Sequence, residues 1–272
     1  MNGGDWRLWV YGGGTALPSA QRDNTFLGLE AGDSCWLIDC GASPYQRLLR
    51  SGLSPLRLRG VLLTHAHPDH LYGLPALLFN LALAGYSGSL SIYGLTATLA
   101  IAQRVVEAFA LGEHCVQHSW CEIGESGMDI AVEAGAEASG VLGARTVCHS
   151  RPTLGVRLSG PRDWVAAYSA DTEPCAAVAS LAQGADWLVH ECSVSGPFPG
   201  HSAPEGVGRL ATAANVSHLG IVHYDPLYTV SEGELLERIR KAGFRGDVRV
   251  LRDLDAVTRW PSVLPKRNIR SP

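Results

Sequence analysis

Apolar and polar positions alternate in short runs through the first part of the chain, at Trp6 to Tyr11, Thr25 to Leu29, Ser34 to Asp39 and Gly60 to Thr64. This spacing predicts β-strands, separated by glycine-rich turns and one short helix around Tyr45 to Arg50. The period then lengthens. Tyr72 to Ala84 and Thr96 to Ala110 repeat their apolar residues at helical spacing, with a strand, Ser89 to Tyr93, between them. The second part repeats the rhythm, with strands predicted at Arg145 to Cys148, Gly155 to Leu158, Asp163 to Ser169, Trp187 to Val189, Leu219 to Val222 and Val248 to Leu251. Its helices are predicted at Pro174 to Ala182, Pro204 to Ala214 and Ser231 to Ala242. Two such halves without a linker imply an α/β fold in which two sheets pack face to face and helices cover the outside. Residues 1–260 are read as one domain, and 261–272, with three prolines and three basic residues, as a C-terminal tail.

Composition narrows the class. With 272 residues, 46% of them hydrophobic and 18% charged, the chain can bury a proper core and is too apolar to be disordered. Its net charge is -4 and its only lysines are Lys241 and Lys266, so no broad cationic face for nucleic acid is expected. Met1 to Tyr11 carries Asp5 and Arg7 and lacks the order of a signal peptide. The longest apolar stretch, Leu71 to Tyr86, is interrupted by Asn80 and falls short of the roughly 20 residues a bilayer requires. Seven cysteines, an odd number with no C-x-x-C pair, argue against a disulfide framework and a cysteine-rich zinc module. A cytoplasmic protein with no membrane partner is the expectation.

The chemistry is concentrated in Thr64-His65-Ala66-His67-Pro68-Asp69-His70, directly after an apolar strand. Imidazole and carboxylate suit zinc and similar divalent ions. A tight turn at a strand end can aim His65 and His67 at one ion and Asp69 and His70 at a second.

This segment resembles the metal-binding motif of the metallo-β-lactamase superfamily, and the likeness extends over most of the chain. It implies a four-layer αββα sandwich with the metal site at one edge of the sheets. Matching positions for the remaining ligands each lie just past a predicted strand: His149, Asp171 in Ser169-Ala170-Asp171-Thr172, and His223. By the resemblance, His65, His67 and His149 hold one ion, Asp69, His70 and His223 hold the other, and Asp171 bridges them. Asp39, in Leu37-Ile38-Asp39-Cys40-Gly41, looks like the Asp that orients the ligand loop, a partner that metal-bound histidines usually need.

Residue types select a branch. A di-iron flavoprotein of this fold would carry Glu at the position of His67, and a subclass B1 lactamase would use a Cys where Asp171 stands. What remains are phosphodiesterases, thioesterases and lactonases. The most specific likeness is to ribonuclease Z-like proteins, through Gly12-Gly13-Gly14-Thr15-Ala16-Leu17-Pro18-Ser19, Asp171-Thr172-Glu173-Pro174, His190-Glu191-Cys192-Ser193 and His201-Ser202-Ala203. The glycine run is either a phosphate cradle or an ordinary turn. By the resemblance Asp69, Glu191 and His201 are catalytic, with His201 as general acid supported by Glu191. The alternative for His201 is a cap on the helix near Pro204.

The pattern is not complete. Ala170 and Ala203 replace an expected Gly and Thr, and no Arg follows His223-Tyr224-Asp225-Pro226. The tRNA-processing members insert a long arm between the third His and the bridging Asp. Here that interval is residues 150–170, 21 in all, and two predicted strands nearly fill it. The implied activity is a hydrolase with two divalent ions, zinc first and manganese or iron as alternatives, that share an attacking hydroxide. A small phosphodiester is the expected substrate, a thioester, lactone or other ester the alternative, and a non-catalytic metal-binding protein the remaining reading. The substrate is expected to be a small molecule, tRNA is not expected as a partner, and a homodimer fits the family. The specificity pocket is expected along Tyr72 to Ala84, Thr96 to Ala110 and the segment to Cys121, which carries His114, His118 and Trp120.

Overall fold

The computed structural model describes residues 6–135 and 138–259; the tail expected at 261–272 lies outside the described residues. In chain order the first part runs β1 (Arg7–Gly12), β2 (Phe26–Ala31), β3 (Ser34–Ile38), α1 (Pro44–Arg50), β4 (Leu58–Leu62), α2 (Pro68–Leu71), α3 (Leu74–Leu83), β5 (Leu90–Leu95), α4 (Thr96–Ala108) and β6 (His118–Ile123). The second part comprises β7 (Met128–Val132), β8 (Gly140–Val147), β9 (Thr153–Ser159), β10 (Val165–Tyr168), α5 (Ala176–Leu181), β11 (Trp187–Glu191), α6 (Pro204–Ala213), β12 (His218–Val222), α7 (Glu232–Lys241), β13 (Asp247–Val250) and β14 (Asp255–Val257).

These strands build two seven-stranded sheets, ordered β14-β1-β2-β3-β4-β5-β6 and β13-β12-β11-β10-β9-β8-β7. Each is mixed. β14 to β3 pair antiparallel and β3 to β6 parallel; β7 to β10 pair antiparallel and β10 to β13 parallel. Alternation along the strands sorts the core into layers. Leu8, Val10, Leu27, Leu29, Trp36 and Ile38 face Leu142, Val156, Leu158, Tyr168, Trp187 and Val189 between the sheets. Trp9, Leu37, Val61 and Leu63 point the other way, onto Leu48, Leu74, Leu78 and Leu99 of the first helical layer. Leu188, Leu219 and Ile221 pack likewise on Val178, Val207, Leu210 and Ile239. Strands buried on both faces read as nearly continuous apolar runs, which is why the central ones are the easiest to recognise.

The result is the αββα sandwich. The differences from the sequence reading lie at the sheet edges: β6, β7 and β14 were not expected, and β8 begins at Gly140 rather than Arg145. In β6 only Ile123 is fully buried, β7 buries only Ile130 and Val132 on one face, and β14 is just three residues long, so none shows a clear apolar run. In the 150–170 interval β9 and β10 form an antiparallel pair closed by a single 3-10 turn, Pro161–Asp163. Among the described residues no helix is long and apolar enough to cross a membrane.

Candidate metal centre

Apart from His201, which lies in the loop between β11 and α6, every functional side chain is carried just beyond, or at, the C-terminal end of a strand, all at one edge of the sandwich. Asp39 follows β3, His65 to His70 follow β4, His149 follows β8, Asp171 follows β10, Glu191 ends β11 and His223 follows β12. Three of these turns use left-handed backbone at residues other than glycine: Asp39 (φ 68), Ala170 (φ 51) and His223 (φ 48). Such a conformation costs an L-residue roughly 1–2 kcal/mol, a form of strain that tends to gather where geometry serves a site. Ala170 occupies the position at which the family pattern has glycine, the residue that avoids this cost.

Asp39 organises the ligand loop and is fully buried. Its carboxylate accepts the Thr64 backbone N–H (2.7 Å), the Thr64 hydroxyl (2.9 Å) and the Nδ1–H of His70 (2.8 Å). Because the Thr64 hydroxyl donates to Asp39, its oxygen is left to accept from His65 Nδ1 at 3.0 Å. His149 Nδ1 in turn donates to the Gly200 carbonyl at 2.6 Å. These bonds fix the tautomers, so that His65, His70 and His149 all present an unprotonated Nε2 to the centre. Burial keeps the His65 imidazole well below its ordinary pKa and hence neutral.

Two groups of ligand atoms result. His65 Nε2 and His149 Nε2 lie 2.9 and 3.2 Å from His67 Nδ1, and Asp171 Oδ2 is 3.8 Å from His65 Nε2. On the other side His70 Nε2 is 3.3 Å from Asp69 Oδ2, and His223 Nε2 is 3.6 Å from the same oxygen. Asp171 reaches across both, with Oδ1 3.6 Å from His70 Nε2 and Oδ2 3.5 Å from His223 Nε2. Asp69 Oδ2, His70 Nε2, Asp171 Oδ1 and His223 Nε2 are buried without a hydrogen-bond partner. Unpaired polar atoms gathered in the interior are costly unless a cation satisfies them. The donor set of imidazole and carboxylate, converging at these spacings, fits divalent metal ions.

His201 stands beside this centre, its ring 5.0 Å from His149 and stacked on His223 at 6.0 Å. Nδ1 faces Glu191 Oε1 (2.9 Å) and the Ser193 hydroxyl (3.0 Å), which leaves Nε2 for the cleft. Glu191 is fully buried and held by the backbone N–H groups of Thr172, Ser193 and Ser202. Burial lowers the His201 pKa, but the hydrogen bond and charge of Glu191 more than compensate and raise it above its ordinary value. Helix α6 takes no side-chain cap, so His201 does not serve as one.

The glycine run proves to be a brace. A Cβ on Gly12 would sit 1.9 Å from the Asn24 carbonyl oxygen, and the N–H groups of Gly13 and Gly14 are already donated to Asp253 and Asp23. Its carbonyls hold the other end of the site: Gly14 O accepts the Thr25 hydroxyl, which accepts His223 N–H, and Gly13 O accepts Tyr224 N–H. The phosphate cradle is therefore replaced by a structural turn.

A cleft of about 500 Å³ opens over the centre, walled by Thr15 to Leu17, Val194, Phe198 and Tyr228 together with the ligand side chains. None of the residues from Tyr72 to Cys121 lines it. The expected specificity pocket is thus misplaced, because β6 with His118 and Trp120 closes the far edge of its sheet. Exposed aromatics in loops after strand ends, Phe198 between two prolines and Tyr228 after Asp225-Pro226, were the available signal.

Replacing Asp39 with Asn should weaken metal binding about 10–100-fold, because an amide turns its NH₂ toward one of the three donors that Asp39 accepts. Competition with a chromophoric chelator would measure this, and an unchanged affinity would remove Asp39 from the assembly of the loop.

The family described as "Beta-lactamase superfamily domain" matches residues 36–224. Ribonuclease Z of Exiguobacterium sp. is 27% identical over 86% of this chain and 93% of its own length. Among solved structures, the metallo-β-lactamase fold protein YhfI from Bacillus subtilis superposes with a TM-score of 0.76 at 20% identity, covering 93% of this chain and 99% of that one. A diphosphatase from the PhnP family does so with a TM-score of 0.70 at 17% identity, covering 93% and 97%. The chain belongs to the metallo-β-lactamase superfamily, in its ribonuclease Z-like branch, and is a hydrolase acting on ester bonds.

Proposed function

We propose that this protein hydrolyses small phosphodiesters using two divalent ions, zinc first among them. His65, His67 and His149 would hold one ion, Asp69, His70 and His223 the other, with Asp171 shared. What carries the reading is Asp171, whose two oxygens reach into both histidine groups at 3.5–3.8 Å. When bound, such ions supply Lewis acidity, acidifying a water and polarising the phosphoryl group. The chain's own part is to fix the ligand tautomers through Asp39, to confine the reacting group in the cleft, and to hold a proton on His201 Nε2 for the departing oxygen. Glu191 orients that imidazole and favours its protonated form.

The small size of the substrate is argued from the β9–β10 pair. With one 3-10 turn closing it, the interval that carries the tRNA-gripping arm in processing members holds no arm here. Affinity for a folded RNA comes largely from its phosphates, and a chain whose 22 basic residues are outnumbered by 26 acidic ones, for a net charge of -4, offers little net charge to neutralise them. The metal-loaded protein is therefore expected to cleave bis-nitrophenyl phosphate or a cyclic phosphate while leaving the 3′ trailer of a precursor tRNA untrimmed. Efficient trimming would overturn the size argument. The apolar side chains at the cleft mouth, Leu17, Phe198 and Tyr228, also suit an acyl group. Thioester or lactone hydrolysis far above diester hydrolysis would thus replace the phosphodiester.

A further inference from the structure

Past Phe198 and His201, on the side away from the cleft, lies a second cavity of about 720 Å³. The two spaces share those two rings as a common wall. Phe198 is 57% exposed although it is aromatic, and its loop is tied down. It bridges to His201 in a short antiparallel contact, and prolines flank it on both sides. Gly200 N–H donates to Glu173 Oε1 at 2.8 Å, and Arg238 Nη2 donates to the Ser195 carbonyl at 2.7 Å. A rigid, exposed ring standing between two cavities is a platform for a flat or apolar group.

The charges in the second cavity are unequally committed. Arg238 is spent on Glu205, with two bonds of 2.7 and 2.9 Å, and Glu173 accepts from the loop. Arg209, one α6 turn beyond Glu205, lines the same cavity and makes no hydrogen bond or ion pair among the described residues. Arg209 is exposed and its charge also acts on Glu205, but its donors are unused, and a guanidinium in that state suits phosphate or carboxylate.

We infer that the second cavity is a substrate subsite: it takes the part of the substrate beyond the scissile ester, with a ring against Phe198 and a terminal anion at Arg209. The inference rests on the diesterase reading, and it makes the preferred substrate a diester with a ring and a second anionic group, rather than the bare dialkyl phosphate that the metal centre alone would accept.

Two probes differ by that one anion: the p-nitrophenyl ester of thymidine 5′-phosphate with and without a 3′-phosphate. In the native protein the 3′-phosphate should lower KM about tenfold, the scale of a charge-assisted hydrogen bond. In Arg209→Ala the ratio of the two KM values should fall to near one, and Arg209→Lys should recover part of it. Phe198→Ala should raise KM for both thymidine esters together. A native ratio of one, or a tenfold ratio that survives Arg209→Ala, would overturn the subsite. Calorimetry with thymidine 3′,5′-bisphosphate against thymidine 5′-phosphate reads the same contrast without turnover. Failure to hydrolyse either ester would therefore defeat the diesterase reading, while the binding ratio would still decide the subsite.

Discussion

Asp171→Ala is expected to cut the metal content of the loaded protein from close to two ions per chain to one or fewer, and to slow ester hydrolysis by roughly 10³-fold. The expectation follows from position. Asp171 Oδ2 lies 3.8 Å from His65 Nε2 and 3.5 Å from His223 Nε2, and Oδ1 lies 3.6 Å from His70 Nε2. No other carboxylate in the cluster lies within 4 Å of both histidine groups, since Asp69 reaches only His70 and His223. Removing the shared carboxylate takes one anionic ligand from each ion at once. Several kcal/mol of transition-state stabilisation depend on those ions, and each 1.4 kcal/mol is tenfold in rate. Loss of folding would give the same activity result, so the control is Asp171→Asn, which keeps the shape of the residue and should unfold thermally like the metal-free native protein while still binding less metal. Elemental analysis after equilibration with zinc reads the stoichiometry. A native protein that never exceeds one ion per chain, with Asp171→Ala binding as much as native, would end the two-ion reading.

That such a test can be framed from the sequence reflects where the ligands sit. The candidate ligands were placed by the family resemblance, helped by strand ends: β4 and β12 are nearly continuous apolar runs that stop at a polar residue, whereas β8 before His149 is half-exposed and gives no such signal. The walls of the cleft were not legible. Phe198 and Tyr228 lie in loops whose path depends on long-range ties, such as Arg238 to Ser195 and Tyr224 N–H to Gly13 O, and no local pattern encodes these. Helices α3 and α4 follow the His65–His70 segment in the chain, but parallel pairing of β4, β5 and β6 carries that part of the chain stepwise away from the site. The glycine run was open in a different way. Glycines suit both a phosphate cradle and a crossing of two backbones, and only the close approach of Gly12 to Asn24 separates the two.

His201→Ala should slow the cleavage of esters with alkoxide leaving groups by about 10²–10⁴-fold while the metal content stays at the native value. The argument begins with the ring's commitments. Nδ1 faces Glu191 Oε1 and the Ser193 hydroxyl, so the nitrogen turned to the cleft is Nε2. Glu191 cannot swing away, because three backbone N–H groups and the Ser193 hydroxyl hold its carboxylate. A buried anion fixed in this way both orients the imidazole and favours its protonated form, which is what a donor to a departing alkoxide requires. A nitrophenolate leaves readily without a proton, so the penalty of His201→Ala should shrink toward a few-fold for nitrophenyl esters. Glu191→Gln should show the same dependence on leaving group with a smaller amplitude, since the imidazole remains but loses its charged partner. His201 also lies close enough to Asp171 and His223 to be considered a ligand. The two roles separate cleanly: a general acid gives a leaving-group-dependent loss with metal retained, whereas a ligand gives metal loss and an equal penalty for every ester.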